Sequence, residues 1–317
     1  MPALGYTLSC EEHRPNELVR NARAAEEAGF AFATISDHFH PWTDKQGQSP
    51  FVWSVIGGIA QATQRLRLGT GVTCPLIRIH PAIVAQAAAT CAVMMDGRFF
   101  LGVGTGEALN EHFTGARWPG PDARLEMLEE AIEVMRLLWQ GGYQTHRGKH
   151  YTVERARIFT LPEEPVPIAV AASQSKAARL AGRLGAALIS VSPDEELVGE
   201  FDGAGGDGKP RYGQLHVCYA ENEEQARKTA HELWPNAAMG GALGQELATT
   251  SHYEAVAQLV REEDVAESVV CGPDPDRHLE QIRAFEKAGF DHVFVHQIGP
   301  DQHGFLRFYA EKIIPEL

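Results

Sequence analysis

The sequence has few cysteines, a shortage of positive charge and no long apolar run. Its five cysteines, in 317 residues, are odd in number and form no CxxC pair, so neither a disulfide framework nor a zinc knuckle is indicated. With a net charge of -14, the chain lacks the clustered Lys and Arg that nucleic acid and anionic lipid require. No segment has the roughly 18 apolar residues of a membrane helix, and the first residues lack the basic and apolar regions of an export signal. We therefore expect a cytoplasmic protein that binds neither nucleic acid nor membranes.

Short apolar runs typical of strands alternate with helical segments along most of the chain. Such alternation implies a parallel sheet whose two faces are covered. The predicted strands lie at 4–8, 32–35, 66–70, 99–103, 168–172, 187–191, 215–219 and 292–295. Predicted helices lie at 17–28, 82–94, 124–139, 175–184, 223–233 and 277–288. Near eight such units, a closed (β/α)8 TIM barrel is favoured over an open sheet, as a single domain over residues 1–317.

Two similar segments near the ends of the chain support a repetitive architecture. A-E-E-A-G-F (25–30) and F-E-K-A-G-F (285–290) both lead from a helix into a strand. In each, the glycine stands where a left-handed residue is needed to end the helix.

Two segments do not fit a minimal barrel, and a third is rich in glycine. We interpret those around 141–164 and 234–260 as insertions over the C-terminal rim, where barrel enzymes keep their chemistry. The glycine-rich segment 201–212 is predicted to be a flexible loop.

The first candidate cluster, S-D-H-F-H-P-W (36–42), directly follows a predicted strand. An imidazole such as His38 can act as a general base, because its ordinary pKa lies close to working pH. The pair Asp37 and His38 could instead form only a loop-capping hydrogen bond. A metal is not predicted, because His38 and His40 have no third ligand at a familiar spacing.

Glycine-rich segments follow two other strands. G-V-G-T-G-E-A-L-N-E (102–111) supplies Glu107 and Asn110 beside glycines that allow close backbone approach. Its GxGxG spacing differs from the GxGxxG dinucleotide fingerprint, and no acidic residue follows in a separate βαβ unit. G-T-G-V-T-C-P (69–75) could form a bulge beneath a planar ring or an ordinary turn.

A fourth segment, A-A-S-Q-S-K-A-A (171–178), opens a predicted helix. Ser173, Ser175 and Lys176, together with free N–H groups, could hold a phosphate. The same residues are equally consistent with an N-cap that only satisfies the N–H groups of its own helix.

Four motifs together resemble the F420-dependent glucose-6-phosphate dehydrogenase family of luciferase-like oxidoreductases: S-D-H-F-H-P-W (36–42), S-P-F-V-W-S-V (49–55), L-G-T-G-V-T-C-P (68–75) and G-V-G-T-G-E-A-L-N-E (102–111). The resemblance implies a luciferase-like (β/α)8 barrel, usually a homodimer, with the deazaflavin coenzyme F420 in a cleft at the C-terminal rim. It implies that ring and side-chain contacts come from Asp37, Gly71, Val72, Cys74, Thr105, Gly106 and Asn110. It further implies that the coenzyme phosphate is surrounded by Ser173, Gln174, Ser175, Lys176 and Ala177.

The resemblance also implies catalytic roles. His38 would take the hydroxyl proton of the substrate as hydride leaves its carbon for C5 of the deazaflavin. Trp42 would stabilise the developing species, Glu107 would protonate the deazaflavin at N1, and Glu11 would help to fix the site. A deazaflavin does not activate oxygen as a flavin does, so hydride transfer is the natural assignment.

The chain departs from the family where sugar phosphates would bind. Val191-Ser-Pro-Asp-Glu-Glu196 stands where the family has a Thr and a Lys, and Glu267 falls near a second expected basic position. Carboxylates there would repel a phosphate monoester. We therefore expect an uncharged or cationic small hydroxylated substrate rather than glucose 6-phosphate.

Three other functions remain as alternatives. An FMN-dependent monooxygenase uses the same barrel, but the acid–base pair of His38 and Glu107 disfavours it. The chain could also use reduced deazaflavin to reduce an activated double bond or an imine. A deazaflavin-binding protein without turnover is the non-enzymatic alternative.

Overall fold

Most strands of the protein pair in parallel and close into a ring. The computed structural model describes every residue from Met1 to Leu317. Its strands, in chain order, are β1 (Ala3–Leu8), β2 (Phe32–Ile35), β3 (Arg67–Thr70), β4 (Phe99–Val103), β5 (Gln144–Arg147), β6 (Thr152–Ala156), β7 (Ile168–Ala171), β8 (Ala187–Ser190), β9 (Arg211–Cys218), β10 (Val270–Cys271) and β11 (His292–Gln297). The ring runs β1-β2-β3-β4-β7-β8-β9-β11 and closes where β11 pairs with β1. The predicted (β/α)8 TIM barrel is confirmed.

Helices surround the ring. They are α1 (Pro15–Ala28), α2 (Val52–Ala62), α3 (Pro81–Met94), α4 (Ala108–Glu111), α5 (Pro121–Trp139), α6 (Ser175–Arg183), α7 (Glu195–Phe201), α8 (Glu223–Leu233), α9 (Leu243–Glu246), α10 (Thr250–Ala257), α11 (Glu262–Ser268), α12 (Pro275–Lys287) and α13 (Gln302–Phe308). The main core, a cluster of 65 buried residues, includes the apolar faces of both helices and strands. None of the helices combines the length and the apolar composition needed to cross a membrane.

Both predicted helix–glycine–strand units are confirmed. Helix α1 begins at Pro15, whose ring presets a helical φ, and it ends at Gly29 with a φ of 98°. Gly289 follows α12 with a φ of 96°. A left-handed φ favours glycine, and it turns the chain back towards the next strand.

Large rings set opposite glycines fill the interior of the barrel. Gly5 pairs with Phe32 across β1 and β2, and Gly69 pairs with Phe100 across β3 and β4. A Cβ atom would lie 2.4 Å from the Phe32 ring at Gly5 and 2.2 Å from the Phe100 ring at Gly69. Tyr212 stacks on Phe100, with ring centroids 5.1 Å apart. These rings fill the interior of the barrel. Barrel enzymes carry their sites at the carboxyl ends of the strands, which we call the mouth.

The segment around 141–164 forms an antiparallel hairpin of β5 and β6 against α5. The carboxylate of Glu130 accepts hydrogen bonds from the backbone N–H groups of His150 and Tyr151, at 2.9 and 2.8 Å. The Tyr151 hydroxyl donates to the carbonyl of Leu76, at 3.1 Å. The hairpin therefore reaches the loop that follows the carboxyl end of β3.

The segment around 234–260 lies beside the mouth and contains α9 and α10. Arg124, a buried residue of α5, donates to Glu246 at 3.0 Å and to Gln245 at 2.8 Å. Tyr253 packs edge-on against Trp42, with centroids 5.2 Å apart. Both contacts hold the segment against residues that follow the carboxyl ends of barrel strands.

The prediction of a flexible loop at 201–212 is wrong over most of that segment. Asp202–Gly206 continues α7 as a π-helical turn, and β9 already begins at Arg211. Arg211 contacts Asp202 at 2.6 Å, while Gly206 lies so close to Phe201 that a Cβ atom would be 2.5 Å from its ring. The glycines therefore permit tight packing here, and pairing with β8 and β11 extends the strand.

We predict that Gly102→Ala lowers the free energy of unfolding by about 1–3 kcal/mol, as overpacking of a core does. A Cβ atom at Gly102 would lie 2.0 Å from the carbonyl oxygen of Thr70, which is backbone and cannot rotate away. Urea unfolding measures the change. Gly199→Ala is the matched control, because no atom lies within 4 Å of its Cβ position and alanine favours the helix by about 0.5–1 kcal/mol. Equal midpoints for Gly102→Ala and the unmodified protein would contradict this close approach of β3 and β4.

Candidate active site

The mouth holds an ion pair between neighbouring strands. Glu11 follows β1 and His38 follows β2, and His38 Nδ1 lies 2.7 Å from Glu11 Oε1. The second carboxylate oxygen, Oε2, accepts hydrogen bonds from the hydroxyls of Ser9 and Ser36, at 2.9 and 2.8 Å. Glu11 is therefore held from three sides, which fixes the imidazole of His38.

Burial and charge oppose each other in this pair. Burial raises the pKa of the Glu11 carboxyl, but the charge and the contact of His38 outweigh burial and bring that pKa to about 2. Burial alone would lower the pKa of His38, yet Glu11, with a smaller contribution from Glu107, raises it. The pair thus makes the His38 imidazole a stronger base than a free histidine.

Glu107 and Trp42 flank the free side of His38. Glu107 Oε2 lies 4.0 Å from His38 Nε2, and the Glu107 side chain is 27% exposed. The Trp42 ring meets His38 edge-on, with centroids 5.0 Å apart. The structure therefore brings together the four residues for which catalytic roles are predicted, and the roles themselves stay predictions.

Asp37 forms part of a buried charge network beneath the site. Its carboxylate accepts hydrogen bonds from Thr73 and Arg78, both at 2.8 Å. Arg78 also lies 3.5 Å from Glu111, whose carboxylate accepts from the Arg78 backbone N–H at 2.7 Å. Burial raises the pKa of Glu111 to about 7, and the charge of Glu107 adds to the rise. Arg78, Thr73 and Glu111 were not predicted, since only the fold shows that they meet Asp37.

The ends of β3 and β4 form a seat of small residues. The Gly71–Val72 peptide is cis, and both residues are partly accessible, as is Thr105. A Cβ atom at Gly106 would lie 2.5 Å from the sulfur of Cys74. Cys74 is therefore buried under Gly106, where it supports the seat.

Asn110 supports this arrangement from α4. Its Oδ1 accepts hydrogen bonds from the backbone N–H groups of Phe39 and His40, at 2.9 and 3.0 Å. Its Nδ2 is buried and has no partner in the protein. Asn110 thus ties the loop after β2 to the β4 end and keeps an unused donor. His40 contacts the carbonyl of Leu109, at 3.0 Å, and no group of three metal-binding side chains is present.

The predicted phosphate segment lies at the start of α6. Gln174 is the N-cap residue, and its side chain makes no capping hydrogen bond. Ser173 and Gln174 are exposed, whereas Ser175 and Ala177 are partly accessible. Lys176 forms an exposed ion pair with Asp122, at 2.7 Å. The N–H groups of the first turn therefore lack a side-chain cap, and the lysine already has a partner.

A closed parallel barrel with an acid–base pair where its strands end is the arrangement of a TIM-barrel enzyme. Residues 3–292 match the family described as luciferase-like monooxygenase. The chain belongs to this family, as its sequence motifs predicted.

Relatives and solved structures agree with this assignment. The chain is 36% identical to the F420-dependent glucose-6-phosphate dehydrogenase of Microbacterium testaceum, over 99% of this chain and 96% of that protein. The enzyme of the same name from Nocardia farcinica is also 36% identical, over 99% and 97%. A solved F420-dependent secondary alcohol dehydrogenase, in complex with an F420–acetone adduct, has a TM-score of 0.91 at 28% identity, covering 98% of both chains. The F420-dependent tetrahydromethanopterin reductase of Methanopyrus kandleri shares the fold, with a TM-score of 0.80 at 21% identity over 99% of both chains.

We predict that Glu11→Gln lowers the pKa of His38, because the carboxylate charge that raises this pKa is lost while the shape of the side chain is kept. A pH titration of the His38 ring by NMR measures the change. Glu27→Gln, at an exposed residue of α1, serves as the control and leaves the His38 pKa where it was. An unchanged His38 pKa in Glu11→Gln would show that the ion pair does not set it.

Proposed function

We propose that the protein is an F420-dependent dehydrogenase that transfers a hydride between the CH–OH carbon of a small hydroxylated substrate and C5 of the deazaflavin. The observation that carries this proposal is the placing of His38 between Glu11, at 2.7 Å, and Glu107, at 4.0 Å, within the mouth of the barrel. One carboxylate fixes and activates the imidazole, and the other lies 4.0 Å from its Nε2, so that one bridging hydroxyl or water would pass a proton between them.

The residues at the mouth fit a planar, anionic cofactor. The seat of Gly71, Val72 and Gly106 presents little side-chain bulk, and the unused Nδ2 donor of Asn110 is buried beside it. The uncapped first turn of α6 offers N–H groups for a phosphate. When bound, F420 supplies two-electron hydride chemistry at C5.

His38 and Glu107 are the groups that take up and pass on the hydroxyl proton of the alcohol. The raised pKa of His38 suits it to take the hydroxyl proton of an alcohol through Nε2. Glu107 Oε2 would carry a proton between His38 and the cofactor side of the mouth. Trp42, edge-on to His38, limits the positions that a bound substrate can take. In the reverse direction, the same groups return the proton to a carbonyl oxygen.

A phosphorylated sugar fits this mouth poorly. Asp194 caps α7 by accepting from the N–H groups of Glu196 and Leu197, so its carboxylate is fixed there. Glu195 and Glu196 add two exposed charges in the first turn, at the carboxyl side of β8. We therefore propose an uncharged or cationic alcohol. By family resemblance we also propose a cytoplasmic homodimer.

His38→Ala is expected to lower kcat for F420 reduction by about 10²–10⁴-fold, the usual effect of losing a general base. The cofactor affinity, measured by quenching of tryptophan fluorescence with F420 and with FMN, is expected to favour F420 and to stay the same in the variant. His40→Ala is the matched control, because His40 lies on the same loop as His38 but its Nδ1 contacts the carbonyl of Leu109 in α4. Preferential FMN binding, or full turnover by His38→Ala, would overturn the proposal.

Glu196→Lys is expected to raise kcat/KM for glycerol 1-phosphate relative to glycerol, because it replaces a repelling charge with an attracting one. The gain should shrink as salt is added, since the residue is exposed. Glu27→Lys, far along the chain on α1, controls for the change in net charge. If the ratio of kcat/KM for glycerol 1-phosphate to kcat/KM for glycerol is unchanged, the acidic first turn of α7 does not lie near the bound substrate.

A further inference from the structure

A second histidine system lies on the opposite side of β1 from His38. Glu12 follows Glu11 directly, and its Oε2 lies 2.9 Å from His296 Nε2. Its Oε1 accepts the backbone N–H of Gly299, also at 2.9 Å. The side chains of Glu12 and His296 are buried, with 4% and 1% exposure. Since β1 lies between β2 and β11, the two consecutive carboxylates hold one histidine on each side.

His296 holds a further histidine. His296 and His216 are direct partners across β11 and β9, and their Nδ1 atoms lie 3.1 Å apart. Phe294 and Tyr212, two and four residues earlier on these strands, belong to the cluster inside the barrel. Because side chains of a strand alternate between its faces, His296 and His216 also point inwards, closer to the mouth.

The placement of hydrogens on Glu12, His296 and His216 leaves one ring nitrogen of His216, Nε2, without a partner. An ionised Glu12 only accepts, so His296 Nε2 carries a hydrogen. The two Nδ1 atoms share a single hydrogen, whichever ring carries it. Burial, with the neighbouring His296, lowers the pKa of His216 to about 3, so its ring is neutral. His216 Nε2 makes no hydrogen bond within the protein, and the residue is partly accessible.

Tryptophans connect this system with the candidate active site. The Trp234 ring lies 4.4 Å from His296 and 6.3 Å from His216, between centroids. Trp234 belongs to a cluster of eight buried residues, and Trp42, whose ring is edge-on to His38, packs against this cluster. This cluster therefore connects the loop that carries His38 with the strand ends that carry His216 and His296.

We propose that His216 Nε2 binds a second hydroxyl of the substrate, other than the one oxidised, so that the enzyme prefers diols and polyols to simple alcohols. A hydroxyl suits this atom because it can donate or accept. Glu12 and His296 are positioning residues, which fix the ring and its tautomer. This inference rests on the proposed dehydrogenase function and names the substrate class of that site.

The test compares 2-propanol with 1,2-propanediol, which differ by a single hydroxyl. The unmodified F420-loaded enzyme is expected to have the higher kcat/KM for the diol. His216→Asn keeps an atom near the Nδ1 position for His296 but has none near Nε2. It should lower the diol to mono-alcohol ratio about 3- to 10-fold, the usual range for one hydrogen bond, with 2-propanol turnover and F420 affinity unchanged.

Further variants separate substrate contact from structure. His216→Gln places an amide near Nε2 and should restore part of the ratio, whereas Glu12→Gln should lower it. His303→Asn, at an exposed histidine of α13, is the control. The inference is overturned if His216→Asn leaves the ratio of kcat/KM for the diol to kcat/KM for 2-propanol unchanged. That outcome includes equal losses for both alcohols.

A measurement without turnover keeps the inference distinct from the proposed function. In ¹⁵N-histidine NMR spectra of the protein loaded with reduced F420, which cannot accept a hydride from an alcohol, 1,2-propanediol should shift His216 Nε2 and 2-propanol should not. If neither alcohol reduces F420 but the diol shifts this signal, the dehydrogenase proposal fails and the hydroxyl contact stands. If neither ligand shifts it, the inference is wrong even in an active enzyme.

Discussion

The filled interior of the barrel is the constraint on which the rest of this structure depends. Glycines on β1 and β3 admit the rings of Phe32 and Phe100, so the middle layer is closed to ligands. Inward-facing positions beyond that layer must then lie at the mouth, where side chains are no longer packed on all sides. Ser9, Ser36, His216 and His296 occupy such positions, where each polar side chain is held by a hydrogen bond or an ion pair with another residue at a strand end.

The mouth is divided by strand order into two arcs of different chemistry. The ends of β3 and β4 carry small residues, which leave room for a flat ring. The ends of β9, β11, β1 and β2 carry histidines and carboxylates, which suit hydroxyl groups and protons. The proposed hydride transfer requires a donor and an acceptor that lie face to face, and a seat on one arc, flanked by Glu107 and facing the histidines of the other, is compatible with that proposal.

Three buried carboxylates of this site have both a basic partner and a hydrogen-bond donor. Glu11 has His38 and two serines, Glu12 has His296 and a backbone N–H, and Asp37 has Arg78 and Thr73. An unpaired buried charge is costly, so each set holds its members at fixed positions. This explains why residues remote from the reacting atoms, such as Arg78, are needed for the geometry of those that lie near them.

The sequence by itself determined the barrel, because strand and helix periods alternate and glycines mark helix ends near both termini. It also identified the residues at strand ends, since the carboxyl ends of parallel strands share one rim. It did not reveal helix α2, and the loop expected at 201–212 is largely ordered, because tight glycine packing and strand pairing depend on neighbours distant in sequence. Only the tertiary structure decided that Glu11 pairs with His38, that Arg78 joins Asp37 to Glu111, and that Glu12 reaches His216 through His296. These contacts join residues from separate strands, and closure of the barrel sets their distances.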